Sequence, residues 1–299
     1  MYLIAFLSSV FEQSTPILLA ALAAMITLRA NILNVAVEGM MLIAAFTAVA
    51  VGDATQSAWL AILAAVGIAI LFSQVLAILT LRFQADFIVA GLGINLLGAG
   101  ATLFMLEWFY ENPGGLRPVE FPDLWHIPST AGFYIPVFSG MSIIVVIALL
   151  LVPASYLFLY HTPTGYSLRA VGEDEHAARS AGIRVGAMKA LAVGISGLLS
   201  GLAGAQLAMD KLHFFLPDMT SGRGFVGLAA TLFGNGLPGM TTFAAFLFGF
   251  FGALGDRLQA FNIPSEFVLM LPYVAALLGL TFAKWRAYRR ARPAKIERA

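Results

Sequence analysis

Residues 57–81 read SAWLAILAAVGIAILFSQVLAILTL, an apolar run without Asp, Glu, Lys or Arg. A bilayer core about 30 Å thick is crossed by roughly 20 helical residues rising about 1.5 Å each, so this run is long enough to span it. Runs of the same character recur along the chain. We place about nine crossings, at residues 14–28, 33–51, 57–81, 87–108, 138–160, 190–209, 224–235, 240–255 and 267–283. The first and seventh are short for a full crossing and are expected to be half-helices or broken segments, as transporters often have. The expected fold is an all-α integral membrane bundle of about nine transmembrane helices (8–10), forming a single domain over residues 1–299.

Composition leads to the same class. Of 299 residues, 60% are hydrophobic and only 11% are charged, against roughly 25% charged in soluble proteins; the mean hydropathy is +0.88. A soluble globule could not hide that much apolar surface while covering itself with so few charges, so an ordinary soluble enzyme is excluded. A net charge of +1 leaves no electrostatic footprint for nucleic acid. With no cysteine there is no disulfide framework, thiolate metal site or cysteine nucleophile. The apolar start, residues 1–10, lacks a basic n-region and a small-residue cleavage site, so it is expected to be retained.

Orientation follows from the basic residues, which cytoplasmic loops retain. With nine crossings, Arg29, Arg82, Arg169, Arg179, Arg184, Lys189 and the seven Lys and Arg of the tail from Lys284 to Arg298 fall on one face. Arg117, Lys211, Arg223 and Arg257 fall on the other. The expected topology is a cytoplasmic C-terminus and an extracytoplasmic N-terminus in the cell (inner) membrane. The basic tail 284–299 is expected to be an interfacial anchor, with a lipid-headgroup contact as the alternative.

Two polar stretches interrupt the pattern. Residues 107–136, rich in Pro, Gly, Trp and Phe, are expected to form a structured external loop. Residues 161–189 form the long cytoplasmic segment. There Pro163 stops the preceding span, Gly165 permits a sharp turn, and Leu168 to Val171 make a short helical approach that Gly172 breaks. Asp174 then N-caps a two-turn helix over residues 175–181, with Gly182 just past its end.

These residues carry a resemblance. TPTGYSLRAVGE (162–173), followed by Ala177, Ala178, Arg179 and Ala181-Gly182-Ile183, resembles the coupling segment of ABC importer permeases of the ribose, branched-chain amino acid and nucleoside class. NILNVAVEGMML (31–42) is similar to the early motif of the nucleoside-type permeases, and GRGFVGLAA (222–230) with Phe233-Gly234 to their late motif. Where that family often has Asn-Pro after Gly-Glu, this chain has Asp174-Glu175. The resemblance implies a cytoplasmic helix that seats in a groove of an ATPase subunit, with Thr164, Gly165, Arg169, Gly172, Glu173, Asp174, Ala177, Ala178, Arg179 and Gly182 as the coupling set. It also implies ABC ATPase partners, a second permease copy or subunit, and an extracytoplasmic substrate-binding protein. The cargo it implies is a nucleoside, with a simple sugar next.

The chain itself has no Gly-x-x-x-x-Gly-Lys-Ser/Thr loop to cradle ATP phosphates and no zinc or nucleophile-elbow motif. Its histidines, His126, His161, His176 and His213, lie in loops or at span ends. No cofactor is called for, and transport rather than enzyme chemistry is expected. Within the spans, ionisable residues are costly and therefore functional candidates. Glu38 stands out, about one turn beyond Asn34 and expected on the same helix face. It either faces the translocation path, braces a broken helix, or serves as a helix-to-helix hydrogen bond. Asn95 and Gln206 carry the same alternatives. Gly197 to Gly201 with Gly204, and the glycines 91, 93, 98 and 100 around Asn95, read as close-packing stripes or hinges. A short span, a polar break and a longer span recur at 14–51 and 224–255 without a residue-level alignment. A secondary transporter or facilitator working without ATPases also fits the broken spans and Glu38.

Overall fold

The structure is a computed structural model, and it describes residues 2–118, 121, 122, 124, 140–210, 213–259, 270 and 274. Its helices in chain order are α1 (Tyr2–Leu28), α2 (Val37–Thr55), α3 (Ala58–Leu81), α4 (Phe87–Tyr110), α5 (Ile143–His161), α6 (Pro163–Glu173), α7 (Glu175–Ser180), α8 (Val185–Met209), α9 (Arg223–Phe233) and α10 (Pro238–Gln259). No strand occurs among the described residues; one antiparallel bridge pairs Leu116 with Phe215. Among the described residues seven helices are long and apolar enough to cross a membrane, namely α1 to α5, α8 and α10. The protein is therefore a polytopic helical bundle, as the hydropathy pattern implies. The ninth expected crossing, 267–283, lies outside the described residues apart from Met270 and Val274, as do the basic tail and much of the loop after α4.

The first crossing differs from expectation. It does not begin at residue 14 as a short segment, because α1 continues through Glu12, Gln13 and Ser14 and across Pro16. Contacts with α10 meet Gln13 and Ser14. Gln13 Nε2 donates to Asp256 Oδ2 of α10 at 2.6 Å, and Gly249 of α10 presses so closely that a Cβ there would lie 1.9 Å from Ser14 Oγ. The seventh crossing is indeed short: α9 has 11 residues, about 16 Å of helix.

α1, α2 and α8 form the interior, whereas α3, α4 and α5 turn Leu63, Leu71, Leu96, Phe104 and Leu150 outward. Lipid tails are as apolar as leucine, so burial alone does not hold such helices together; close van der Waals approach and hydrogen bonds do. The small-residue stripe of α8 provides that approach. A Cβ on Gly197 would sit 2.5 Å from Ser73 Oγ, on Gly201 2.7 Å from Val66 Cα of α3, and on Gly204 2.2 Å from the Met41 carbonyl of α2. Of the glycines around Asn95, Gly91 and Gly98 meet the backbone of Ala36 and Gly39, while Gly93 and Gly100 meet nothing.

Candidate functional site

Between α1 and α2 the backbone unwinds over residues 29–36, inside the early motif. Non-helical backbone at membrane depth is tolerated only where protein satisfies it, and two of the polar residues singled out above, Asn34 and Asn95, do so, while a third, Glu38, ties the start of α2 to α9. Asn34 Oδ1 accepts from Ala36 N at 3.0 Å and its Nδ2 donates to Ser196 Oγ of α8 at 2.9 Å. Asn95 of α4 donates to the Val35 carbonyl at 3.0 Å and accepts from Gly39 N at 2.8 Å. Glu38 sits in the first turn of α2 and accepts from Gly222 N at 2.8 Å and Gly224 N at 2.6 Å, where α9 begins. One carboxylate thus lies at the positive ends of two helices. At the other end of α9, Arg29 Nε donates to the Gly236 carbonyl at 2.7 Å. Asn34 itself precedes the helix, so it does not share a helix face with Glu38: its side chain bonds its own backbone two residues on, the turn-forming habit of asparagine.

At the end of the bundle where α1 and α5 finish, α6 and α7 lie against it. Thr162 caps α6 by accepting from Gly165 N at 3.0 Å, with Pro163 in the first turn. α6 runs continuously to Glu173, so neither Gly165 nor Gly172 turns or breaks the chain. Their lack of a side chain serves close approach instead. A Cβ on Gly165 would lie 2.0 Å from the Phe158 carbonyl, and one on Gly172 2.1 Å from the Arg29 carbonyl. With buried Leu168 they make the face of α6 that seats on the bundle. Arg169 is committed to the same joint, donating to the Leu159 carbonyl at 3.0 Å and lying over the rings of Tyr160 and Tyr166.

Asp174 ends α6 and begins α7. Its N–H bonds the Ala170 carbonyl, while Oδ1 accepts from His176 N at 2.8 Å and Ala177 N at 3.0 Å. The bond from Ala177 N, then that from His176 N, hold its carboxyl below the usual aspartate range. α7 buries only Ala178, against Val171 and Val185, and Gly182 follows it at φ +81°. Glu173, His176, Ala177 and Arg179 are exposed, and Thr164 is half-buried. Glu175 accepts from Lys189 Nζ of α8, a buried ammonium that also lies 6.0 Å from the Phe87 ring centroid. The length and capping of α7 match the reading of its sequence, and the Glu175–Lys189 tie was not foreseen because it spans two helices.

Near the opposite ends of α1 and α8 a cleft of about 280 Å³ opens between α1, α8, α9 and α10, lined by Ser9, Glu12, Gln13, Pro16, Gln206, Leu207, Asp210, Arg223 and Asp256. Of the four residues expected on the substrate path, Gln206 alone lines it. The remaining residues that line the cleft carry only weak sequence signals, Glu12-Gln13 in an apolar start and Arg223 inside the late motif.

Residues 6–280 match the model of the branched-chain amino acid transport system / permease component family. The chain is 36% identical to the guanosine ABC transporter permease protein NupQ of Bacillus subtilis, covering 90% of this chain and 88% of that protein. It is 33% identical to the nucleoside ABC transporter permease protein NupC of Lactococcus lactis (89% and 88% covered) and 22% identical to the ribose import permease protein RbsC of Escherichia coli (92% and 84%). No solved structure is a significant match. The family match over nearly the whole chain, on a bundle with a broken helix at its early motif, establishes that this chain belongs to the branched-chain amino acid transport system permease family, and that it is an ABC transporter permease.

Proposed function

We propose that this permease imports a nucleoside, driven by separate ATPase subunits that dock on α6 and α7 and supplied by an extracytoplasmic binding protein. Two of the relatives at 33–36% identity, the guanosine and nucleoside permeases, support the cargo, while another at 33% is named for glucose and keeps a simple sugar as the alternative. The observation that carries the coupling is the seating of α6 on the bundle through Gly165, Leu168 and Gly172, while α7 leaves Ala177 and Arg179 exposed for a partner.

Displacement of α7 has two stiff routes to the cleft. One passes through Asp174 to α6, across Gly172 to Arg29, and along α1. The other passes through Glu175 to Lys189 and along α8 to Gln206, about 25 Å of helix at 1.5 Å per residue. Asn34 and Asn95 hold the broken segment between these routes, Glu38 ties the start of α2 to α9, and together they fix the path's walls. A second permease subunit would complete the path, and α6–α7 and the C-terminus would be cytoplasmic, as the basic residues suggest.

Uptake of labelled guanosine and ribose by cells carrying the complete transporter tests this. Guanosine accumulation that stops on ATP depletion is expected. Uptake indifferent to ATP would sink the importer reading, and ribose uptake without guanosine uptake would replace the cargo. Since the chain has no native cysteine, Ala177→Cys can be crosslinked to a cysteine-bearing ATPase subunit; failure to crosslink in an active complex would remove α7 from the docking surface.

A further inference from the structure

α9 has 11 residues, too few to bring both ends to the membrane surfaces, so its terminal N–H and C=O groups need partners within the protein. The chain around the early motif provides one at each end, with opposite charges. Glu38 holds the amides of Gly222 and Gly224 at the start. At the finish the chain reverses through Asn235 and Gly236, at φ +49° and +62°. Arg29 fastens that turn: its Nε donates to the Gly236 carbonyl at 2.7 Å and its Nη2 to the Asn235 carbonyl at 3.3 Å. A carboxylate at the positive end and a guanidinium at the negative end both suit the helix dipole. The planar fork of arginine reaches two adjacent carbonyls, a geometry that a lysine ammonium does not reproduce.

Between these ends α9 is locked to α1. A Cβ on Gly227 would lie 2.6 Å from Ala20 Cβ and 2.8 Å from Ala21 N, and Thr231 Oγ1 donates to the Ala21 carbonyl at 2.7 Å. The backbone of Arg29 meets a different helix. Its carbonyl is the atom that Gly172 of α6 abuts, with Asn31 N beside it, 3.3 Å from a Cβ on Gly172. One residue thus carries α6 against its backbone and the end of α9 on its side chain. The far end of α9, at Arg223, forms part of the cleft wall.

We propose that Arg29 is a positioning residue that delivers displacement of α6 to α9, so that the half-helix and α1 move as one body and shift the cleft wall at Arg223. This rests on the ATPase-docking reading above and adds to it a branch from α1 to α9. Displacement at the Arg29 carbonyl moves the Cα that also bears the guanidinium. The two hydrogen bonds pass that movement to the turn after α9, and the helix carries it about 16 Å to Arg223.

Amide hydrogen exchange in the complete transporter, with and without ATP and vanadate to trap the ATPases, tests this. The N–H groups of Gly234, Asn235 and Gly236 bond to the last carbonyls of α9, so their exchange reports the state of the turn. Trapping is expected to change exchange in α6 and over residues 234–236 together. A change in α6 alone would overturn the relay and leave the docking reading standing; no change in either would remove both. Arg29→Met supplies the functional arm. ATP hydrolysis by the assembled complex should stay within about twofold of the unaltered protein, while uptake of labelled guanosine, or of glucose if that is the cargo, falls at least about tenfold. Arg29→Lys, which keeps the charge and one donor, should recover part of the uptake. A merely structural role would lower hydrolysis and uptake in parallel; that outcome, or uptake unchanged in Arg29→Met, would overturn the proposal. If Arg29→Met does not assemble, the exchange measurement on the unaltered protein decides.

Discussion

Glu38 and Gly224 meet at 2.6 Å, carboxylate oxygen to backbone N–H, and this contact joins the start of α2 to the start of α9 across 186 positions of sequence. Glu38→Gln keeps the shape but turns one acceptor into a donor facing an N–H. A buried donor left unmet costs about 1–3 kcal/mol, so a lower Tm in detergent is expected. Gly224→Ala brings a Cβ to 2.6 Å from Glu38 Oε2 and 2.8 Å from Glu38 Cα, an overpacking that costs about 1–3 kcal/mol. The double variant should fall short of the sum, because both changes break one joint. Additive losses in Tm would mean that the two residues act separately.

Gly172→Ala should disconnect α6 and α7 from α1. Its Cβ would lie 2.1 Å from the Arg29 carbonyl, and backbone cannot yield there without α6 lifting away. Membrane insertion is expected to survive and uptake to drop by more than about tenfold, since a small misplacement of a coupling element is expensive in rate. Gly186→Ala is the control: a Cβ there meets nothing within 4 Å, and alanine favours helix by up to about 1 kcal/mol. Equal uptake by both variants would show that the α6–α1 contact carries no movement.

Asp174 gives a pH dependence whose sign is set by its lowered carboxyl pKa. A group depressed in the folded state contributes fully above the unfolded aspartate value and loses that contribution as pH falls through the folded one. Amide exchange of residues 175–180 should therefore stay protected at neutral pH and quicken only under acid conditions below the ordinary aspartate range. Asp174→Ala removes the cap, so residues 175–180 should exchange faster at neutral pH and lose the acid dependence. Protection that changes between pH 6 and 8 would point to some other group.

The Glu175–Lys189 pair should respond unequally to its two truncations. The Lys189 side chain is 11% exposed and that of Glu175 is 35% exposed. Glu175→Gln strands a nearly buried ammonium, which approaches the larger penalties of broken buried pairs, about 2–3 kcal/mol after allowance for partial exposure. Lys189→Met leaves only a half-exposed carboxylate and should cost less than about 1 kcal/mol. Equal shifts in Tm would show that the pair is too well solvated to link α7 to α8.

Much of this protein is set locally and was legible without coordinates. Apolar runs of spanning length define α2 to α5, α8 and α10, because a bilayer demands a fixed number of helical residues whatever the neighbours are. The caps of α7 were equally legible, since Asp174 and Gly182 act within a few residues of themselves. Other features depended on partners distant in sequence. Glu12, Gln13 and Ser14 interrupt the apolar run, yet α1 passes through them, and α10 meets two of them, Asp256 accepting from Gln13 and Gly249 leaving room for Ser14. Gly165 and Gly172 look like turn residues, yet they sit inside a helix whose face needs room for Phe158 and Arg29. The cleft is the extreme case: Gln13, Gln206, Arg223 and Asp256 come from four helices, and only the packing of α8 and α10 against α1 brings their polar atoms into one space.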